Sequence, residues 1–150
     1  MPIEKYPPDF YHGIPSKDFV YIDSNLNNAK TVTADAFQFE EKVRDDGYRE
    51  LSINWNDDDD SLKLLFEQKK ENGKFHFPAG VVKLELILVK QLLKVYIESK
   101  EFDYERREIE GNPYHGNLLL KKSTPKQARK KIMNGLSLIA ESVIENPNCT

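Results

Sequence analysis

The stretch Val81-Val-Lys-Leu-Glu-Leu-Ile-Leu-Val89, continued by Lys90-Gln-Leu-Leu-Lys-Val-Tyr-Ile97, decides which fold this chain can adopt. Val82, Leu84, Leu86 and Leu88 recur at a period of two, which predicts strands over about Val81–Val89 and about Leu93–Glu98. A helix over Val81–Leu93 competes, because Leu, Lys and Glu are good helix formers and length alone does not separate the two. Lys83, Glu85, Lys90, Gln91 and Lys94 interrupt the apolar run from Ala79 to Ile97, so it is not a membrane span.

Upstream, Glu50-Leu-Ser-Ile-Asn-Trp55 alternates, with Leu51, Ile53 and Trp55 on one face and Ser52 and Asn54 on the other, the pattern of a half-buried strand. The acids of Asp57-Asp-Asp-Asp60 then precede Leu62, Leu65 and Phe66. Carboxylates favour the positive end of a helix, so a helix starts there and should stop near Asn72-Gly73. Residues 1–18 hold four of the eight prolines and read as an extended N-terminal arm that turns at Gly13-Ile-Pro-Ser16. Phe19–Ile22 has strand composition. Thr31–Phe39 fits either a strand or a short helix.

Downstream, Tyr104–Ile109 is a candidate short strand and Asn117–Lys121 a strand leaving a glycine-rich turn. Thr124-Pro-Lys-Gln127 supplies a capping threonine, a proline at the first helical position and a glutamine three residues after the cap. Ala128, Ile132, Leu136, Ile139, Ala140 and Val143 follow at helical spacing. The expected fold is α+β: one 150-residue domain with a mainly antiparallel sheet of about five to seven strands, a mid-chain helix, and a long amphipathic C-terminal helix packed on one face.

The only cysteine, Cys149, allows neither an intrachain disulfide nor a cysteine-based zinc site, and a reducing, cytoplasmic home is the default expectation. The first residues lack the basic-then-apolar order of a signal peptide. The formal net charge is −3, unevenly spread. Residues 1–60 carry 14 acids and 6 bases, residues 61–110 carry 9 and 10, and residues 111–150 carry 2 and 6. An acidic front and a basic tail can mark a partner surface, although the simpler expectation is that the two ends meet and neutralise each other.

Chemistry concentrates in Glu110-Gly-Asn-Pro-Tyr-His-Gly-Asn117, where one of three histidines sits on a turn. An imidazole titrates near neutrality, so His115 is a candidate acid or base, with Asn112 to orient it and Ser52 on an exposed strand face. Lys121, Lys122, Lys126, Arg129, Lys130 and Lys131 place six cations in eleven residues around a helix start, where they oppose the helix dipole. Such a cluster holds an anion or a partner, or is a solvated face folded near the acidic half of the chain. The four aspartates lack the alternating ligands, glycine and closing glutamate of a calcium loop. No metal site is expected, since His12, His76 and His115 form no spaced pair, and nothing implies a cofactor. P-loop, dinucleotide-binding and Gly-x-Ser-x-Gly patterns are absent.

Gly13-Ile14-Pro15 with Phe19-Val20, Leu51-Ser52-Ile53, and Asn112-Pro113-Tyr114-His115 with Leu118–Leu120 follow one another in an order that resembles a family of small bacterial proteins of uncharacterised function. The chain departs from that pattern at His12-Gly13, where an arginine is usual, and in its lysine-rich Val81–Val89 stretch. The resemblance implies that Asn112, Pro113 and His115 belong to a recurring constellation, and it implies no reaction. Two functions follow as expectations. The first is a non-enzymatic cytoplasmic interaction module, of immunity or antitoxin-like kind, that uses its polarised charge on a protein partner. The second is a small enzyme acting on a nucleotide or phosphoester, with His115 as acid or base and the Lys121–Lys131 cluster holding phosphate. Nucleic acid is a lesser candidate partner, and no membrane role is expected.

Overall fold

The computed structural model describes residues 6–149. Its centre is a five-stranded, wholly antiparallel sheet built from β1 (Asp9–Ile14), β4 (Tyr48–Trp55), β5 (Gly80–Glu85), β6 (Phe102–Arg106) and β7 (His115–Lys121), in the order β5-β1-β4-β7-β6. A separate hairpin pairs β2 (Val20–Asp23) with β3 (Ala29–Val32). Three helices complete the α+β fold: α1 (Asp59–Glu67), α2 (Leu86–Tyr96) and α3 (Lys126–Ile139). Among the described residues no helix is long and apolar enough to cross a membrane.

Both readings of the deciding stretch are half right. The chain runs as a strand to Glu85 and becomes a helix at Leu86, so the predicted strands Val81–Val89 and Leu93–Glu98 give way to β5 and α2. The reason is a change of period within the sequence. Val82 and Leu84 alternate into the core, after which Leu86, Val89 and Leu93 are buried at spacings of three and four. Leu88, the last member of the apparent alternation, is 37% exposed. The Leu86 N–H donates to the Pro8 carbonyl at 2.8 Å, which anchors a helix start that has no side-chain cap.

The stretch read as an N-terminal arm contains β1, which lies between β5 and β4; residues 1–5 fall outside the described residues. Phe10 and Ile14 face the main core, and Tyr11 faces a smaller cluster with Leu65, Phe66 and Val81. Burying apolar side chains on both faces outweighs the proline signal, whose prolines flank β1 at Pro8 and Pro15. The α1 helix stops at Glu67 rather than near Asn72-Gly73, because Lys69 and Phe75 form a bridge closed by the turn at Gly73. Thr31–Phe39 splits into the end of β3 and a 3-10 turn over Ala34–Phe37. The short strand expected over Tyr104–Ile109 is centred earlier, as β6.

The main core lies on one sheet face. Leu51, Ile53, Trp55, Leu118 and Leu120 from the sheet pack there with Val89 and Leu93 of α2 and Ile132 and Leu136 of α3. The two helices touch where the Leu92 side chain lies over Gly135. On the other face α1 covers only part of the sheet, through Leu65 and Phe66. The remainder carries Glu50, Ser52, His115 and Asn117 on adjacent strands.

His12 sits where β1 and β4 diverge, since the two strands pair only at Phe10–Trp55 and Tyr11–Asn54. Its ring lies 2.6 Å from the Ala36 carbonyl at Nε2 and 2.9 Å from the Ser52 carbonyl at Nδ1, stacked on Phe37. Burial pushes the imidazole below its ordinary value of 6.5, against the two carbonyls, which favour the charged form. A histidine with a depressed folded-state pKa contributes stability that is complete above the unfolded value and lost as pH falls below it. The urea midpoint of the wild type should therefore drop between about pH 7.5 and about pH 5.5 by more than that of His12→Gln; equal drops would remove His12 as the cause.

Candidate functional site

The uncovered half of the second sheet face is bordered by the segment 40–47, which is tied to β4 by Glu40 N–H to the Glu50 carbonyl and Arg44 N–H to the Tyr48 carbonyl. Between them lies a cavity of about 680 Å³ lined by residues that include Arg44, Glu50, Arg107, His115 and Asn117. Arg44 is its hub. The guanidinium bonds Glu105 at 2.5 Å, Asp46 at 2.9 Å and Glu50 at 3.2 Å, and these bonds raise its already high pKa. Burial alone would lift the Glu105 carboxyl, but the Arg44 bond and the 3.0 Å bond from Asn117 Nδ2 hold it below the ordinary range. Arg44 is therefore neutralised by protein carboxylates.

His115 begins β7 and lines this cavity. Its Nδ1 donates to the Arg107 carbonyl at 2.8 Å, a bond that leaves the lone pair on Nε2. Ser52 lies on the same face as a diagonal neighbour, since Ser52 pairs with Asn117 and Asn54 with His115. Diagonal partners stand roughly 7–8 Å apart at the backbone, and among the described residues Ser52 neither bonds the His115 ring nor lines the cavity.

Asn112 does not orient the His115 ring. Its Nδ2 donates to Asn54 Oδ1 at 2.7 Å, and its own Oδ1 accepts from the Tyr114 N–H at 3.1 Å. Asn54 passes the chain of bonds on to the Ser61 carbonyl in α1. Both asparagines are almost fully buried, so the Asn112–His115 turn is pinned to β4 and α1 through amides. Asn54, expected on a solvated strand face, is instead covered by this network. Of the four aspartates, Asp58 caps α1 by accepting from the Asp60 N–H, Asp59 and Asp60 lie in its first turn, and Asp57 pairs with Arg106 at 2.5 Å.

The cations that sequence placed beside His115 lie elsewhere. Lys126, Arg129 and Lys130 line a groove of about 390 Å³ between α3 and the Ala34–Phe37 turn. Lys121 and Lys122 flank the turn leading into α3, and Lys131 is exposed on the helix. The cap differs as well. Pro125, with extended backbone, takes the cap position with no side-chain bond, and the hydroxyl of Thr124 is buried without a partner.

Taken together, α2 and α3 carry Lys90, Lys94, Lys126, Arg129, Lys130 and Lys131 and not one Asp or Glu. Among the described residues none of these six is ion-paired. Front and tail of the chain do meet, in the Lys30–Glu145 pair and in the groove that Asp35 and Glu41 share with Lys126, Arg129 and Lys130. The same two helices expose Ile87, Leu88, Val95, Tyr96 and Leu138, the last at 83%.

Sequence reasoning missed Arg44 and Asn117 in the cavity, Glu105 that bonds them both, and Lys90 and Lys94 in the helical layer. Asn54 and Asn117 carried a usable signal, because asparagine is disfavoured inside strands. Comparison with known protein families, curated proteins and solved structures gives no significant match.

Proposed function

We propose that this chain is a non-enzymatic, cytoplasmic interaction module that engages an acidic surface of a partner protein through its α2–α3 layer. The observation that carries this reading is the segregation of charge: six unpaired cations and no carboxylate on two packed helices. With a net charge of −3 for the whole chain, the rest of the molecule carries the balancing negative charge. Exposed cations of one sign speed encounter with an acidic surface, and exposed apolar side chains on the same helices supply area to bury on contact. An immunity or antitoxin-like role fits such a module. The phosphoester-enzyme reading requires His115, Ser52 and the cation cluster in one pocket, and their separation counts against it.

Affinity capture with three baits tests the proposal: wild type, Lys126→Glu/Lys130→Glu on α3, and Lys63→Glu on α1. A protein retained by the wild-type and Lys63→Glu baits at low salt, released as salt rises, and not retained by the α3 bait is the expected result. Equal retention by all three baits, or no retention at all, would refute it.

A further inference from the structure

We infer that the outer edge of β6, with the groove between it and α2, receives an extended segment of the partner protein, added as a sixth strand and carrying an apolar side chain flanked by carboxylates. The inference deepens the reading of the α2–α3 layer as a binding surface and rests on it. β5 and β6 are the two end strands of the sheet. The β5 edge is already closed by the segment 141–144: Ile144 N–H donates to the Val81 carbonyl at 2.8 Å, Val81 N–H to the Ile144 carbonyl at 3.0 Å, and Glu141 N–H to the Lys83 carbonyl at 3.0 Å. Among the described residues no segment closes β6 in that way. Register fixes what this edge presents. Arg107 N–H donates to the His115 carbonyl at 2.9 Å, so Glu105 and Asp103, opposite Asn117 and Leu119, are the next ladder-bonded positions. Phe102 and Tyr104 therefore turn their N–H and carbonyl groups away from β7. The two N–H groups are met locally, by the Ser99 carbonyl and by Asp103 Oδ1 at 2.8 Å. Among the described residues the two carbonyls accept no hydrogen bond, and an incoming strand supplies N–H donors to both.

Side chains beside the edge define the chemistry of the segment. A groove of about 300 Å³ runs between α2 and β6, its apolar lining supplied by Leu93, Ile97, Phe102 and Tyr104. Three charged residues also line it. Glu98 is answered by Lys100 at 3.2 Å, whereas Lys90 and Lys94 enter no ion pair among the described residues. Lys90 Nζ stands 4.9 Å from the centroid of the Tyr104 ring, which sets its charge against the strand edge. Of the nearby carboxylates, Glu101 precedes the strand, and Asp103 and Glu105 alternate to the sheet face opposite Phe102 and Tyr104. The groove side of the edge is therefore left with two unanswered cations. On an added strand, side chains two residues apart share a face at a spacing of roughly 7 Å, and Lys90 and Lys94 are one helical turn, roughly 6 Å, apart. An apolar side chain with a carboxylate two positions to either side fills the groove and brings acid to both flexible lysines.

The probe is the heptapeptide Thr-Asp-Thr-Phe-Thr-Asp-Thr, acetylated and amidated, titrated into the full chain at fixed ionic strength and followed by amide NMR. Saturable shifts should concentrate on Phe102, Asp103, Tyr104 and the second half of α2. Asparagine in place of both peptide aspartates, or Lys90→Gln/Lys94→Gln in the protein, should weaken binding about tenfold, with the variant's thermal midpoint recorded to confirm folding. Methylating alternate backbone amides of the peptide should abolish binding in one of the two alternating patterns and spare it in the other, because only one set of N–H groups faces β6. Absence of saturable shifts, shifts away from β6 and α2, equal binding by the asparagine peptide or by the folded lysine variant, or tolerance of both methylation patterns would each overturn the inference. Those failures leave the three-bait capture result standing, whereas peptide binding at β6 without any captured partner would confine the fault to the interaction reading.

Discussion

Gly116→Ala is expected to destabilise the protein by roughly 3–4 kcal/mol and to lower its thermal midpoint by about 10 °C. The Trp55 indole, fully buried, crosses β7 at this glycine and donates from Nε1 to the Glu105 carbonyl on β6 at 3.0 Å. A methyl group at Gly116 would come closer than 3.0 Å to both the indole nitrogen and that carbonyl. One atom is backbone and the other belongs to the largest side chain of the core, so neither can step aside cheaply. The substitution therefore adds steric strain and removes a buried hydrogen bond. Differential scanning calorimetry of the two proteins checks it, and a shift under about 3 °C would mean that the indole does not hold β6 to the sheet.

Asn112→Ala should cost roughly 2–3 kcal/mol, a fall of about 6–9 °C. Its removal leaves Asn54 Oδ1 buried without a donor and frees the Tyr114 N–H. His115→Ala removes one bond to an exposed carbonyl and should cost about 1 kcal/mol or less. The ordering separates two accounts of the Asn-Pro-Tyr-His turn. If Asn112 anchors the turn and His115 merely sits on it, the asparagine variant melts several degrees below the histidine variant. Reversed ordering would make His115 the anchor and contradict the buried amide pair.

How much of this was legible in the sequence differs element by element. The alternation of Leu51, Ile53 and Trp55 located β4, because a strand with one apolar face repeats at a period of two whatever surrounds it. The aspartate run located α1 through local electrostatics alone. Local signals failed where one stretch holds two periods, as at Glu85–Leu86, since each half is consistent with its neighbour's pattern. They failed again for β1, where prolines mask a strand whose burial depends on partners far along the chain.

The candidate site was less legible for the same reason. The Asn54–Asn112 bond spans 58 residues and the Arg44–Glu105 bond spans 61, so no spacing rule could have connected them. The cation cluster around α3 was plain to read, but the sequence joined it to His115, its neighbour along the chain. Folding instead packs its helix beside α2, which carries Lys90 and Lys94.

The most direct test of the central claim is the hydrogen-exchange footprint of a captured partner on this protein. Binding through the helical layer predicts slowed exchange on the accessible amides of α2 and of the first turns of α3, with α1 and the 40–47 segment unchanged. Slowed exchange confined to α1 or to the rim of the His115 cavity, with α2 and α3 unaffected, would contradict it.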